Sequence, residues 1–345
     1  MFGCGGNHPL VWWLLAIFAS VRSRSIFAAL LVFMLVAQVK SSAVTITTDR
    51  SKGKFKFSNF PDPLPQGNAT MITLPIKRAG NLLLVEVKID TMVGNLILDT
   101  GAPHLVLNKT YFRHYPGYGE VTAGGITGSA GSGMQTVVQK LDFGNELYFS
   151  KVDADMVPLG HLESKKGIKI LGLLGLNLLK HLDVIIDFRE GRLILFRCNR
   201  GGQRTGNDTL GPAVSEATVL RLAAHPSIML VSGLIAGKHL KFCIDTGAET
   251  NVLSSSLSKK VLSEFVLERR MKLSGSGSIQ KEVLYGRINS LTIGGKEYGF
   301  TPTTLVNLSQ MSMSYECIID GMLGIDFLSQ HTVGFNLCKG EVYLW

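Results

Sequence analysis

Apolar positions after residue 70 come in short blocks, separated by Gly, Pro, Asn and charged residues. Met71-Ile-Thr-Leu-Pro-Ile76, Leu82-Leu-Leu-Val-Glu-Val-Lys-Ile89 and Gly94-Asn-Leu-Ile-Leu98 are each the length of a strand. Their spacing predicts a β-meander whose last strand ends at Asp99. Gly124–Gly133 is rich in Gly and Ser and leads into Met134-Gln-Thr-Val-Val138, the pattern of a β-hairpin with a mobile tip. Leu141–Phe149 predicts a second hairpin. Ile170-Leu-Gly-Leu-Leu-Gly-Leu-Asn-Leu-Leu179 is the most apolar stretch of this region, and Val184–Phe196 predicts a closing hairpin.

The pattern then starts again. Ile228–Ile235 leads into Phe242-Cys-Ile-Asp245, a Gly/Ser tip recurs at Ser274–Ser278, and Leu291-Thr-Ile-Gly-Gly295 answers Leu141–Asn145. Gly321–Leu328 answers Gly172–Leu179, and Val333–Trp345 answers Val184–Phe196. Asp99 and Asp245 lie 146 residues apart, and Gly175 and Gly324 lie 149 apart, as do Asp187 and Asn336. Matched elements in one order at nearly constant offset indicate an internal duplication.

Three segments fall outside the repeats. Residues 1–43 hold the apolar run Ile26–Ala37 behind Arg22 and Arg24, with small residues at Ser41-Ser-Ala43. They read as a signal peptide or an N-terminal membrane anchor, the anchoring stretch lying within residues 10–39. Both readings place the body outside the cytoplasm, periplasmic or secreted. Residues 44–68, polar with alternating Pro61, Pro63 and Pro65, read as a tether carrying at most a strand at Lys54–Phe57. Residues 198–213, polar and Gly-rich, read as the linker between lobes at 69–197 and 214–345.

Composition narrows the class. The 345 residues are 46% hydrophobic, and 38 Gly suit a turn-rich β protein. The formal charge of +9 falls to +6 without residues 1–43, which hold three basic residues and no acid. No basic run with interleaved aromatics occurs, which argues against nucleic acid as a partner. Beyond Cys4 the cysteines are Cys198, Cys243, Cys317 and Cys338. They permit zero, one or two disulfides and show no metal-ligand spacing. Cys243 reads as a small buried apolar residue beside Asp245.

Candidate chemistry lies where the repeats match best. Leu96-Ile-Leu-Asp-Thr-Gly-Ala102 and Phe242-Cys-Ile-Asp-Thr-Gly-Ala248 each end an apolar strand in a carboxylate, which is costly unless compensated. Two such acids facing each other cannot both ionise easily, so they share a proton and titrate as a pair. One member then takes a proton from a water while the other stabilises the oxyanion that forms on an attacked carbonyl. This chemistry needs no metal, no cofactor and no covalent intermediate. Thr100 and Thr246 follow the acids, where their hydroxyls can bond across the pair. Gly101 and Gly247 let backbone N–H groups approach the carboxyl oxygens.

These paired motifs, each followed by an apolar Leu-Gly element, resemble aspartic proteases. The Asp-Thr-Gly-Ala form and the Leu323-Gly-Ile-Asp-Phe-Leu328 ending are most similar to retropepsin-like domains of bacterial type, here two in one chain over residues 70–345. The resemblance implies an all-β, bilobed acid-protease fold: two duplicated, closed, barrel-like lobes with the cleft between them. It implies catalysis by Asp99 and Asp245, support from Thr100, Gly101, Thr246 and Gly247, and flaps over a peptide or protein substrate at Gly128, Ser129, Gly131 and at Gly275, Ser276, Gly277. With both half-sites in one chain, a monomer is expected. The halves differ at Pro103-His104 against Glu249-Thr250, and neither flap has the Tyr of pepsin-type enzymes. His104 reads as a structural or surface residue, and Asp187, Asp320 and Asp326 as acids outside the pair. Sequons start at Asn68, Asn108, Asn207 and Asn307. The expected function is an exported aspartic endopeptidase; the alternatives are a catalytically silent peptide- or protein-binding module of the cell envelope and a structural envelope protein.

Overall fold

A computed structural model describes residues 62–125, 128–206, 211–274 and 280–345, which belong to one compact unit. The leader and the strand expected at Lys54–Phe57 lie outside the described residues. In chain order the first ten strands are β1 (Met71–Ala79), β2 (Leu82–Ile89), β3 (Met92–Leu98), β4 (Leu105–Asn108), β5 (Tyr118–Gly125), β6 (Gly128–Asp142), β7 (Tyr148–Val157), β8 (Ile170–Leu174), β9 (Leu182–Asp187) and β10 (Arg192–Arg197). The next ten are β11 (Thr218–Arg221), β12 (Met229–Ile235), β13 (Lys238–Ile244), β14 (Val252–Ser254), β15 (Phe265–Ser274), β16 (Gln280–Ile293), β17 (Lys296–Val306), β18 (Gly321–Leu323), β19 (Thr332–Asn336) and β20 (Glu341–Leu344). Helices are short: α1 (Lys109–Phe112), α2 (Gly160–Lys166), α3 (Lys259–Leu262), α4 (Ser309–Ser314) and α5 (Ile325–Leu328).

The protein is therefore mostly β, as the apolar blocks predict. The meander forms as β1–β2–β3, with Ile76 opposite Val85 and Leu84 opposite Ile97. The expected hairpins appear as β5–β6, β6–β7 and β9–β10. β3 and β13 are apolar at every position of their last turn because they are covered on both faces. Leu96, Ile97 and Leu98 are buried, and so are Phe242, Cys243 and Ile244. Each pairs in parallel with a Leu-Gly strand, Leu98 beside Leu174 and Ile244 beside Leu323. Continuous apolar runs of this kind belong to buried parallel strands.

Pairings run β2-β3-β8-β4-β7-β6 and close where Ile89 meets Leu141, giving a six-stranded barrel. In the second half β12-β13-β18-β14-β17-β16 follows the same order and closes where Gly233 meets Ile293. β5 and β15 hang on these rings as edge strands. A bulge between Leu267 and Arg269 and the exposed Arg270–Glu282 ion pair blunt the β15 edge.

The two halves also share a sheet, which the repeats by themselves did not predict. Its order is β11-β20-β19-β9-β10-β1, and the contact between halves is the antiparallel pair β9–β19. Ile185 lies opposite Gly334, Val184 opposite Phe335 and Ile186 opposite Val333. A shift of 149 residues carries Ile185 onto Gly334 and exchanges the two flanking pairs, so this register maps onto itself. The largest core cluster accordingly runs through both halves, from Leu83 and Phe149 by way of Val184 and Phe335 to Ile244 and Leu323. Hydrophobic burial is continuous across β9 and β19.

The segments read as tether and linker are fastened where they are described. Gln66 pairs with Tyr148, and Asp62 holds Lys180 at 2.9 Å. Arg204 pairs with the buried Asp183 at 2.7 Å and lies over the Phe196 ring, while Trp345 donates to the Ala213 carbonyl. Polar, Gly-rich composition marks these stretches as irregular, but side chains at their ends tie them down. Cys198, Cys243, Cys317 and Cys338 are all free thiols. Among the described residues no helix is long and apolar enough to cross a membrane.

Candidate active site

β3 and β13 end one residue before Asp99 and Asp245. Each acid is anchored to its parallel neighbour: Asp99 N–H donates to the Leu174 carbonyl and Asp245 N–H to the Leu323 carbonyl, both at 3.1 Å. The chain then turns back. Leu176 N–H donates to the Ala102 carbonyl at 2.8 Å and Ile325 N–H to the Ala248 carbonyl at 2.9 Å. The Leu-Gly elements thus clamp both ends of each Asp-Thr-Gly loop.

Thr100 and Thr246, both fully buried, join the two loops reciprocally. Thr100 N–H donates to Thr246 Oγ1 at 3.1 Å, and Thr246 N–H donates to Thr100 Oγ1 at 3.0 Å. Each hydroxyl donates onward to the carbonyl before the opposite acid, Thr100 to Ile244 at 3.1 Å and Thr246 to Leu98 at 2.8 Å. Four hydrogen bonds therefore fix the separation of the loops, with both amides and both hydroxyls of the pair engaged.

The glycines after the threonines leave room for the facing carboxyl. A Cβ on Gly101 would lie 2.5 Å from Asp245 Oδ2, and one on Gly247 would lie 2.5 Å from Asp99 Cγ. Their amides serve the acids directly: Gly101 N–H donates to Asp99 Oδ1 at 2.9 Å, Ala102 N–H to the same oxygen at 3.1 Å, and Gly247 N–H to Asp245 Oδ1 at 2.8 Å. Asp99 and Asp245 keep a partly accessible face. Burial raises the Asp99 carboxyl well above the usual range, to about 8, with the Asp245 charge adding to the rise against the Gly101 and Ala102 amides. Burial also raises Asp245, against the Gly247 and Ala248 amides and a hydrogen bond from Asp99, which favour its charged form. Both carboxyls are raised, so the pair holds a proton between them and titrates as a unit.

Residues 231–327 match the model of the aspartyl protease family. That segment runs from β12 to α5 and contains Asp245, Thr246 and Gly247; Asp99 lies outside it. The match supports an aspartic-type peptidase. No curated protein matches the chain.

The remaining sequence candidates separate clearly. Backbones of Gly128, Ser129 and Gly131 lie in β6, opposite Gly125, Gly124 and Ala123 of β5. Gly275, Ser276 and Gly277 lie outside the described residues. His104 presents its carbonyl to Gly175, where a Cβ would come within 1.9 Å, and burial lowers its imidazole pKa. Asp187 holds Glu190 N–H and Arg192, Asp320 accepts Lys241 N–H at 2.8 Å, and Asp326 accepts from Asn81 at 3.3 Å. Asp187 caps its own turn, while Asp320 and Asp326 bond residues distant in the chain. Among the described residues no cluster of three or more His, Cys, Asp or Glu is placed to hold a metal.

Two contacts escaped sequence reasoning. Glu249, the counterpart of Pro103, accepts from Lys166 at 2.6 Å and from the Asn81 amide at 3.3 Å, joining its loop to the other half. Tyr315, at the end of α4, donates its hydroxyl to the Gly101 carbonyl at 3.0 Å. Its phenol is pushed far up by burial and by the nearby Cys243, Asp245 and Asp99, so it stays a donor. The signal for both lay in the repeat itself. Lys166 and Tyr315 are 149 residues apart, at matching helix ends, and each reaches the opposite Asp loop.

Proposed function

We propose that the protein is an exported aspartic endopeptidase in which Asp99 and Asp245 activate one water between them. The observation that carries this reading is the reciprocal bonding of the two Asp-Thr-Gly loops through Thr100 and Thr246. Asp245, ionised, takes the proton from the water; Asp99, protonated, donates to the carbonyl oxygen as it becomes an oxyanion. Proton transfer through the pair then returns one proton to the leaving amine and leaves the dyad ready for another turn.

On this reading residues 69–197 and 214–345 are duplicated lobes of a bilobed acid-protease fold, related by an axis at Ile185 and Gly334. The self-mapping register of β9 and β19 supports this relation. The hairpin carrying Gly128, Ser129 and Gly131 acts as a flap over a peptide, and one chain supplies the whole site as a monomer. Residues 1–43 direct export or hold the protein at a membrane.

A mixed peptide library incubated with the protein tests the reading. Defined cleavages should appear, be blocked by a statine-type inhibitor, and fall at least about 100-fold with Asp245→Asn. An Asp245→Asn protein as active as the parent overturns the dyad. Peptide binding without cleavage at both acid and neutral pH overturns it in favour of a silent binding module.

A further inference from the structure

The Gly101–Ala102 peptide carries a hydrogen bond at each end. Its carbonyl accepts the Tyr315 hydroxyl at 3.0 Å, and its N–H, that of Ala102, donates to Asp99 Oδ1 at 3.1 Å. An amide whose oxygen accepts a hydrogen bond is polarised, and its N–H becomes a stronger donor. Tyr315 is therefore coupled to the Asp99 carboxyl through one rigid peptide without touching it.

Tyr315 is itself held in place. Its N–H donates to the Met311 carbonyl at 3.0 Å. Its own carbonyl bonds His225 Nε2 at 2.9 Å, and His225 Nδ1 accepts Ser227 N–H at 3.2 Å. Because Nδ1 accepts, the neutral imidazole carries its proton on Nε2, where it is donated to Tyr315. The His225 ring meets the Tyr315 ring edge-on at 6.2 Å.

The matching position in the first half does something else. Lys166 sends its ammonium to the Glu249 carboxylate at 2.6 and 2.7 Å, bonding a side chain instead of the peptide that holds Asp245. One carboxyl of the pair thus receives a relayed hydroxyl and the other does not.

We propose that Tyr315 is a positioning residue that sets the proton balance between Asp99 and Asp245 through the Gly101–Ala102 peptide; its part in turnover rests on the endopeptidase reading above. The sign follows from the bonds. The relay strengthens a donor to the Asp99 carboxylate and favours its charged form, so losing the hydroxyl raises the upper titration of the pair.

The test is a carbon-13 carboxyl titration of the aspartate-labelled full chain, run on the parent, Tyr315→Phe and Lys166→Met, with pH profiles of kcat/KM alongside. Tyr315→Phe keeps the ring and should move the upper midpoint of the pair up by about half a pH unit, roughly threefold in proton affinity. The alkaline limb of kcat/KM should move with it, and kcat should fall while KM stays near the parent value. Lys166→Met should leave the midpoint in place. A Tyr315→Phe midpoint equal to the parent's, or an equal shift in Lys166→Met, overturns the relay. If none of the three proteins cleaves peptides, the endopeptidase reading fails while the carboxyl titration still decides the relay.

Discussion

A carboxylic acid at the end of a buried strand is costly unless it is held neutral or well bonded. Asp99 combines both, with burial raising its pKa and two backbone amides on one oxygen. The rise has a consequence for stability. Between the unfolded value near 4 and the folded value near 8, the native state binds more protons than the unfolded chain. Stability therefore falls as pH rises through that window and is level in this contribution outside it. Asp99→Asn removes the titration. Thermal melts from pH 4 to pH 9 should show the parent losing a few kcal/mol relative to the variant, about 2–4 °C per kcal/mol for a chain of this size. A parent whose melting temperature rises over this range relative to Asp99→Asn would contradict the raised pKa.

Local rigidity around the pair comes from elements, above all the strands β8 and β18. Each supplies a carbonyl to the Asp amide, then a Gly, then an amide that caps the loop. The Gly lets the two backbones touch: a Cβ on Gly175 would lie 1.9 Å from the His104 carbonyl, and one on Gly324 would lie 2.5 Å from the Thr250 carbonyl. A methyl group at 175 forces β8 away from the first Asp loop. Gly175→Ala should cost on the order of 2–4 kcal/mol, through steric clash of the kind that produces the larger effects of single substitutions. Any peptidase activity should fall further than the stability change alone accounts for, because the loop that holds Asp99 shifts. Urea unfolding read with a peptide assay checks this; an unperturbed midpoint and full activity would show that the contact has slack.

The whole molecule is joined by a sheet as well as by the site. β9 and β19 pair along five residues, and the largest core cluster extends through them. A fragment ending at Ala213 would leave β9 as a bare apolar edge, with Val184, Ile185 and Ile186 unpartnered. Such an edge recruits another strand. The fragment 62–213 should run as a dimer or larger in light scattering, while the full chain, on the reading proposed above, should run as a monomer. A monomeric, cooperatively folding fragment would show that the halves are independent after all.

The strands and the Asp-Thr-Gly loops were legible along the chain because their information is local. Apolar blocks of strand length, Gly at sharp turns, and a repeat at 146–149 residues need no partner to be seen. The same repeat named Thr100, Gly101, Thr246 and Gly247 as the residues around the acids. What the chain alone did not determine depends on surfaces that meet only after folding. The shared sheet arises because β9 and β19 each leave an edge that the other completes. The fastening of residues 198–206 rests on Arg204 finding a buried carboxylate. Tyr315 reaches a carbonyl 214 positions away, and Lys166 reaches a carboxylate 83 away. Matching positions in a duplicated chain need not keep matching roles: local pattern sets where the two acids stand, and cross-half contacts decide which side chains reach their loops.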